Sequence, residues 1–94
     1  MADLACARVL ISGRVTGVGF RYFVTSHAER FDVKGFVRNL DTGSLEIEVE
    51  GERREVFDFL MDVKPGPAHA EVISFQVEWK PYEGKYNKFF VKYS

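Results

Sequence analysis

The chain has 94 residues, the size of one domain, and it is 46% hydrophobic and 15% aromatic with nine phenylalanines, which is enough for one small core. Its formal net charge of -1 argues against a nucleic-acid binder, which would carry a basic excess. One cysteine, Cys6, allows no intrachain disulfide, the start MADLACARVL lacks the features of a signal peptide, and no apolar run approaches transmembrane length, so a cytoplasmic protein without membrane contact is expected.

The first strand is expected over about residues 5–12, where Ala7, Val9 and Ile11 alternate onto one face. Gly13 to Arg21 then read GRVTGVGFR, with Gly13, Gly17 and Gly19 lying between that strand and a helix that begins at Phe20. A strand, a glycine loop and a helix N-terminus aim backbone N–H groups and the positive end of the helix dipole at one point, a nest for phosphate or carboxylate. Arg21, in the first helical turn, adds a permanent positive charge beside it. No lysine is present for a Walker loop, and the glycine spacing is not that of a dinucleotide site. By itself the loop reads equally well as an ordinary strand-to-helix turn with an exposed arginine.

The first helix is expected from Phe20 to about residue 30, with Phe20, Phe23, Val24, Ala28 and Phe31 as its buried stripe and His27 as a partly buried histidine at the edge. A second strand over about 33–40 places Val33, Gly35, Val37 and Asn39 on one face and Lys34, Phe36, Arg38 and Leu40 on the other. Asp41-Thr42-Gly43 is a hairpin turn. In the third strand, 44–50, Leu45, Ile47 and Val49 point inward and Glu46, Glu48 and Glu50 outward, and the glutamates read as a solvated face. A second helix over about 53–63 buries Val56, Phe59, Leu60 and Val63 and is stopped by Lys64-Pro65-Gly66-Pro67. A fourth strand, about 71–80, sets Ile73, Phe75, Val77 and Trp79 on one face. Residues 81–88 are a polar, tyrosine-bearing loop, and a last strand over 89–93 turns Phe89, Val91 and Tyr93 one way. The order is β-α-β-β-α-β with an additional C-terminal strand. Two helices bury their stripes against one face of an antiparallel sheet, which predicts an α+β, ferredoxin-like sandwich occupying 1–94 as a single domain.

Conventional catalytic groups are scarce. There is no Cys-x-x-Cys or His-Glu-x-x-His, His69 reads as a loop residue, and no His–Asp pair is placed to activate Ser12. No metal site and no cofactor are expected. What remains is the glycine nest, Arg21 and one neutral polar side chain, Asn39, which shares a strand face with Val33 and Val37 where that strand meets its turn. Asn39 also reads as a turn asparagine bonding its own backbone.

These residues resemble the acylphosphatase family. GRVTGVGFR is similar to that family's phosphate-binding loop with its terminal arginine, GFVRNLDTGSLE (Gly35 to Glu46) to its second motif with the asparagine at Asn39, and Gly66-Pro67-Ala68 to its break before the fourth strand. The likeness runs in order over essentially the whole chain. The family usually has glutamine where this chain has Thr16, a position expected to act through its backbone N–H, and Asp-Gly where it has Thr42-Gly43. The resemblance implies metal-independent hydrolysis of the carboxyl–phosphate bond of acyl phosphates. It implies catalytic roles for Arg21 and Asn39, and a phosphate cradle of Val15, Thr16, Gly17, Val18, Gly19 and Phe20 with Arg21. A small acyl phosphate is then the partner of a monomer that needs no nucleic acid. The scarcity of acids fits, because the carboxylate leaving group has a conjugate-acid pKa of roughly 4 and departs unprotonated. The rival expectation is a non-catalytic ferredoxin-like module that binds an anion or RNA, the latter on a faint echo of an RNA-recognition motif in Lys34-Gly35-Phe36-Val37.

Overall fold

The computed structural model describes residues 3–93. In chain order its elements are β1 (Leu4–Arg14), α1 (Phe20–Ala28), β2 (Val33–Asn39), β3 (Leu45–Glu52), α2 (Arg53–Val63), β4 (Glu71–Lys80) and β5 (Phe89–Val91). They form one five-stranded sheet in the order β4-β1-β3-β2-β5, the ferredoxin-like arrangement with one strand added at the β2 edge. The β1–β3, β1–β4 and β2–β3 pairs are antiparallel, whereas β5 runs parallel to β2, so the sheet is mixed where an antiparallel one was expected. The reason is the route of residues 81–88. They leave β4 at one edge, cross the outer face and deliver β5 to the opposite edge. Four strand spacings of about 4.8 Å, roughly 19 Å in all, lie within reach of eight extended residues.

The two helices cover the other face. Ala7, Val9 and Ile11 of β1, Val37 of β2 and Leu45, Ile47 and Val49 of β3 are fully buried there against Val24 of α1 and Val56, Phe59 and Val63 of α2. Phe59 meets Phe31 and Phe89 edge-on, at 6.0 and 5.4 Å between ring centroids. The last turn of α1 tightens: Arg30 and Phe31 donate N–H bonds to the carbonyls three residues back, at His27 and Ala28. This turn ends α1 two residues earlier than its apolar spacing suggested.

Two expectations about side-chain direction fail. Ile73 does not share a face with Phe75, Val77 and Trp79. Ser12 pairs with Ser74 but Gly13 pairs with Val72, so Ile73 is an extra residue in a β-bulge. Val72 thereby packs against the core, while Ile73 is 75% exposed. Gly13 permits this, since a Cβ there would lie 2.1 Å from the Glu71 carbonyl oxygen.

Nor are Glu46, Glu48 and Glu50 a solvated face. They are only 4%, 7% and 3% exposed, because residues 81–88 and the flanking basic side chains cover them. Glu46 accepts from Arg8 Nε and Arg38 Nε, each at 2.6 Å. Glu48 accepts from Lys80 Nζ at 3.2 Å and from the Tyr86 hydroxyl. Glu50 accepts three backbone N–H bonds, from Glu83, Gly84 and Lys85, at 3.0–3.1 Å. A buried carboxylate is tolerated only with such partners. Burial of Cys6 near Glu48 and Glu50 pushes its thiol from 9.0 up to about 11, which keeps it protonated and unreactive at neutral pH.

Burial alone would raise the Glu48 carboxyl, but the Tyr86 and Lys80 hydrogen bonds and the Lys85 and Lys80 charges outweigh it and hold the group below its ordinary 4.5. A lowered folded value means a stabilisation present above pH 4.5 and lost as pH falls through that folded value. Glu48→Gln should therefore be less stable than wild type at neutral pH and show a shallower acid limb in denaturation midpoints followed downward from there. Parallel acid limbs would assign the acid sensitivity elsewhere.

Candidate active site

The loop after β1 turns sharply because Gly17 and Gly19 adopt left-handed φ angles of 70° and 77°. Gly19 is the N-cap of α1, and its carbonyl accepts the first helical bond, from Phe23 N–H at 3.0 Å. The N–H groups from Thr16 to Tyr22 have no backbone acceptor among the described residues, as expected of a helix start without a side-chain cap. No atom beyond the chain neighbours lies within 4 Å of where a Cβ would sit on Gly17 or Gly19, so the backbone is open there.

This loop borders a cavity of about 280 Å³ whose lining includes Val15, Gly17, Gly19, Phe20, Arg21 and Asn39. Two sequence motifs about twenty residues apart thus meet in one place, since β2 carries Asn39 to the same end of the sheet as the start of α1. Two members of the expected cradle do not line it. The Thr16 side chain is exposed and Val18 packs against the core, so only their backbones belong to the loop.

Among the described residues the lining contains no carboxylate. Arg21 makes no ion pair among the described residues, and its guanidinium lies 5.4 Å from the centre of the Tyr93 ring. Asn39 Oδ1 is buried and has no hydrogen-bond partner among the described residues. A buried acceptor left unmet costs about 1–3 kcal/mol. The arrangement therefore offers a permanent positive charge, free amide donors and one oriented acceptor. Such a set can hold a phosphoryl anion and direct a water.

Tyr22, Thr25, Val91 and Tyr93 complete the lining. Reading the sequence for chemistry missed them. Thr25 could have been found, being four residues after Arg21 on one helix face; its hydroxyl donates to the carbonyls of Arg21 and Tyr22 at 3.2 and 3.0 Å. Val91 and Tyr93 carry no local signal, because only the parallel placement of β5 brings them here.

Other reactive groups lie apart from this cavity. His27 Nδ1 sits 2.5 Å from Asp62 Oδ2 and ties α1 to α2, as a partly buried helix histidine. His69 is an exposed loop residue. Among the described residues no group of three or more His, Cys, Asp or Glu is placed to hold a metal ion. A larger depression of about 610 Å³ at the opposite end of the sheet contains Arg53 and Trp79. There Arg53 is paired with Asp3 at 3.0 Å and stacked on Trp79 at 4.9 Å, so its charge is already engaged.

A family model described as Acylphosphatase matches residues 7–91. The chain belongs to the acylphosphatase family. It is 47% identical over 83 residues to an acylphosphatase of Bacillus pumilus, covering 88% of this chain and 92% of that one. It is 42% identical over 93 residues to an acylphosphatase of an Anaeromyxobacter species, covering 99% and 100%. Among solved structures, the acylphosphatase from Bacillus subtilis superposes with a TM-score of 0.90 at 34% identity over 97% of this chain and 100% of that chain. Family and fold together support acylphosphatase activity.

Because Gly17 has open space around it, an acylphosphatase loop carrying Gly17→Ala should suffer from backbone conformation and not from collision. The expected loss is about 1–2 kcal/mol, the cost of holding an L-residue in the left-handed region. Gly17→Asn should lose less, since asparagine visits that region more readily. Equal losses for both, measured by chemical denaturation, would point to a cause other than φ.

Proposed function

We propose that this chain hydrolyses acyl phosphates to a carboxylate and inorganic phosphate by charge and positioning alone. The observation that carries the reading is the buried Oδ1 of Asn39, without a hydrogen-bond partner among the described residues, in the same cavity as Arg21, which has no ion pair among them. Loop amides and Arg21 receive the phosphoryl oxygens and the charge that builds on them in the transition state. Asn39 Oδ1 accepts a hydrogen from the attacking water and turns an oxygen lone pair toward phosphorus. The new P–O bond forms as the bond to the acyl oxygen breaks, the electron pair leaves on the carboxylate, and the water's proton passes to a phosphate oxygen of the substrate.

No acid, metal or cofactor is asked to assist departure, because the leaving carboxylate is stable without a proton. A phosphate ester would expel an alkoxide, for which the cavity offers no proton donor of suitable acidity. A non-catalytic anion binder would gain from Arg21 but has no use for an unmet acceptor at Asn39. An RNA-binding module would need free rings on the sheet, yet Phe36 of the Lys34-Gly35-Phe36-Val37 run is only 6% exposed beneath Tyr86 and Phe90.

Turnover of a synthetic acyl phosphate tests the reading directly. Asn39→Ala should lower kcat by roughly 10²–10³, the cost of one positioned group in a preorganised site, while inhibition by inorganic phosphate stays near wild type. Arg21→Ala should weaken turnover and phosphate inhibition together, because its charge serves ground and transition states alike. A folded Asn39→Ala enzyme with wild-type kcat would leave Asn39 as a turn residue only. Hydrolysis should also continue in the presence of a chelator; loss of activity there, restored by a divalent ion, would contradict the mechanism.

A further inference from the structure

The reaction just described uses nothing on the outer face of the sheet, yet that face holds a carboxylate with three backbone donors. Glu50 Oε2 accepts from Glu83 and Gly84 N–H, and its Oε1 from Lys85 N–H. The three donors converge because Gly84 adopts a left-handed φ of 64°, forming a backbone nest around an internal anion. Immediately after this nest the Tyr86 hydroxyl bonds Glu48.

The chain then becomes β5, only three residues long and paired with β2 alone. Its flanking bonds are few: Gly35 N–H to the Lys88 carbonyl at 3.0 Å and Lys92 N–H to the Val37 carbonyl at 2.9 Å. Phe89 and Val91 pack against the core and Phe89 meets Phe59, so what holds β5 is this packing together with the segment that leads into it. Val91, the last residue of β5, and Tyr93, two residues beyond it, line the cavity, and the largely exposed Tyr93 ring has its centre 5.4 Å from the Arg21 guanidinium.

We propose that Glu50 is a positioning residue for the acylphosphatase reaction: by fixing the backbone of residues 83–85 it sets where β5 lies, and through Tyr93 it sets the resting place of the Arg21 guanidinium. This rests on the reading of that cavity as the place where acyl phosphate reacts. Glu50 touches no substrate. Its influence runs along the chain, from the nest to β5 and from β5 to Tyr93.

The test is a double-mutant cycle between Glu50 and Tyr93 on the whole chain, with a synthetic acyl phosphate as substrate. Glu50→Gln keeps the side chain's volume but sets an amide N–H₂ where a backbone N–H needs an acceptor. It should lower kcat/KM roughly tenfold, short of the roughly 10² that a 1 Å misplacement can cost. In a Tyr93→Ala background the same change should have no further effect on kcat/KM, because the route through the ring is already cut. Gly84→Ala disturbs the nest from an exposed position, its Cβ meeting the Tyr82 ring at 3.1 Å, and carries the same cycle if Glu50→Gln does not fold. A merely structural Glu50 would lower the melting midpoint with kcat/KM unchanged in the folded enzyme. That result, or a tenfold loss that persists without Tyr93, overturns the proposal. An inactive wild type would remove the reading of the cavity and this inference together, whereas an active wild type indifferent to both variants removes the inference alone.

Discussion

Strand β3 carries Leu45, Ile47 and Val49 on one face and Glu46, Glu48 and Glu50 on the other, and both faces are buried. The apolar face needs only helices above it. The acidic face needs a donor for every oxygen, because an uncompensated buried carboxylate costs several kcal/mol. Arg8 and Arg38 meet that demand at Glu46, Lys80 of β4 and Tyr86 meet it at Glu48, and the backbone of residues 83–85, in the crossing between β4 and β5, meets it at Glu50. The same crossing sends β5 to the far edge of the sheet and parallel to β2. The segment that satisfies the buried carboxylates is therefore the same one that leads to the edge strand, the link on which the proposed role of Glu50 rests.

Five of the seven arginines pair with carboxylates; Arg14, like Arg21, has no ion pair among the described residues, but it is exposed and lies outside the cavity. Arg8 and Arg38 share Glu46, Arg53 pairs with Asp3, Arg54 with Asp58, and Arg30 approaches Asp62. Arg21 lies near an aromatic ring as Arg38 and Arg53 do, but in a cavity lined by no carboxylate among the described residues. An aromatic face orients a guanidinium without neutralising it. Beside it Asn39 keeps a buried oxygen unmet. The unmet oxygen reduces folding stability, and proteins keep such local defects mainly where a ligand or reaction repays them.

The elements that were legible in the sequence are those set by local pattern. The bounds of α2 and β4 follow from a clear helical stripe ended by Pro65 and from alternation up to Lys80, and both match the observed spans. Arg21 and Asn39 stood out because each lies in a compact motif, and the two line one cavity. Apart from the early end of α1, a local effect, the errors came from distant partners. Alternation in β3 identifies two faces but cannot tell that residues 81–88 will cover the acidic one. Alternation in β4 cannot reveal the bulge at Ile73, which arises from its pairing with Gly13. Tyr93 lies more than fifty residues beyond Asn39, and its place in the cavity depends on that same crossing. In this fold the sequence pattern is a good guide to where a helix or strand lies and a poor one to what covers its second face.

The poverty of the cavity in acids and bases fits the chemistry proposed for it. Proton donors and acceptors near neutral pH accelerate reactions in which a poor leaving group must be protonated or a weak nucleophile deprotonated. In an acyl phosphate the leaving group is already good, so the remaining barrier is the approach of water to an anionic phosphorus centre. A fixed positive charge and oriented amide donors lower the repulsion, and a neutral acceptor such as Asn39 aligns the water without adding negative charge beside the phosphate. An aspartate in its place would accept the same hydrogen bond more strongly, yet it would repel the substrate and compete for Arg21. In the proposed mechanism an amide at this position would therefore serve attack on an anion better than a carboxylate would.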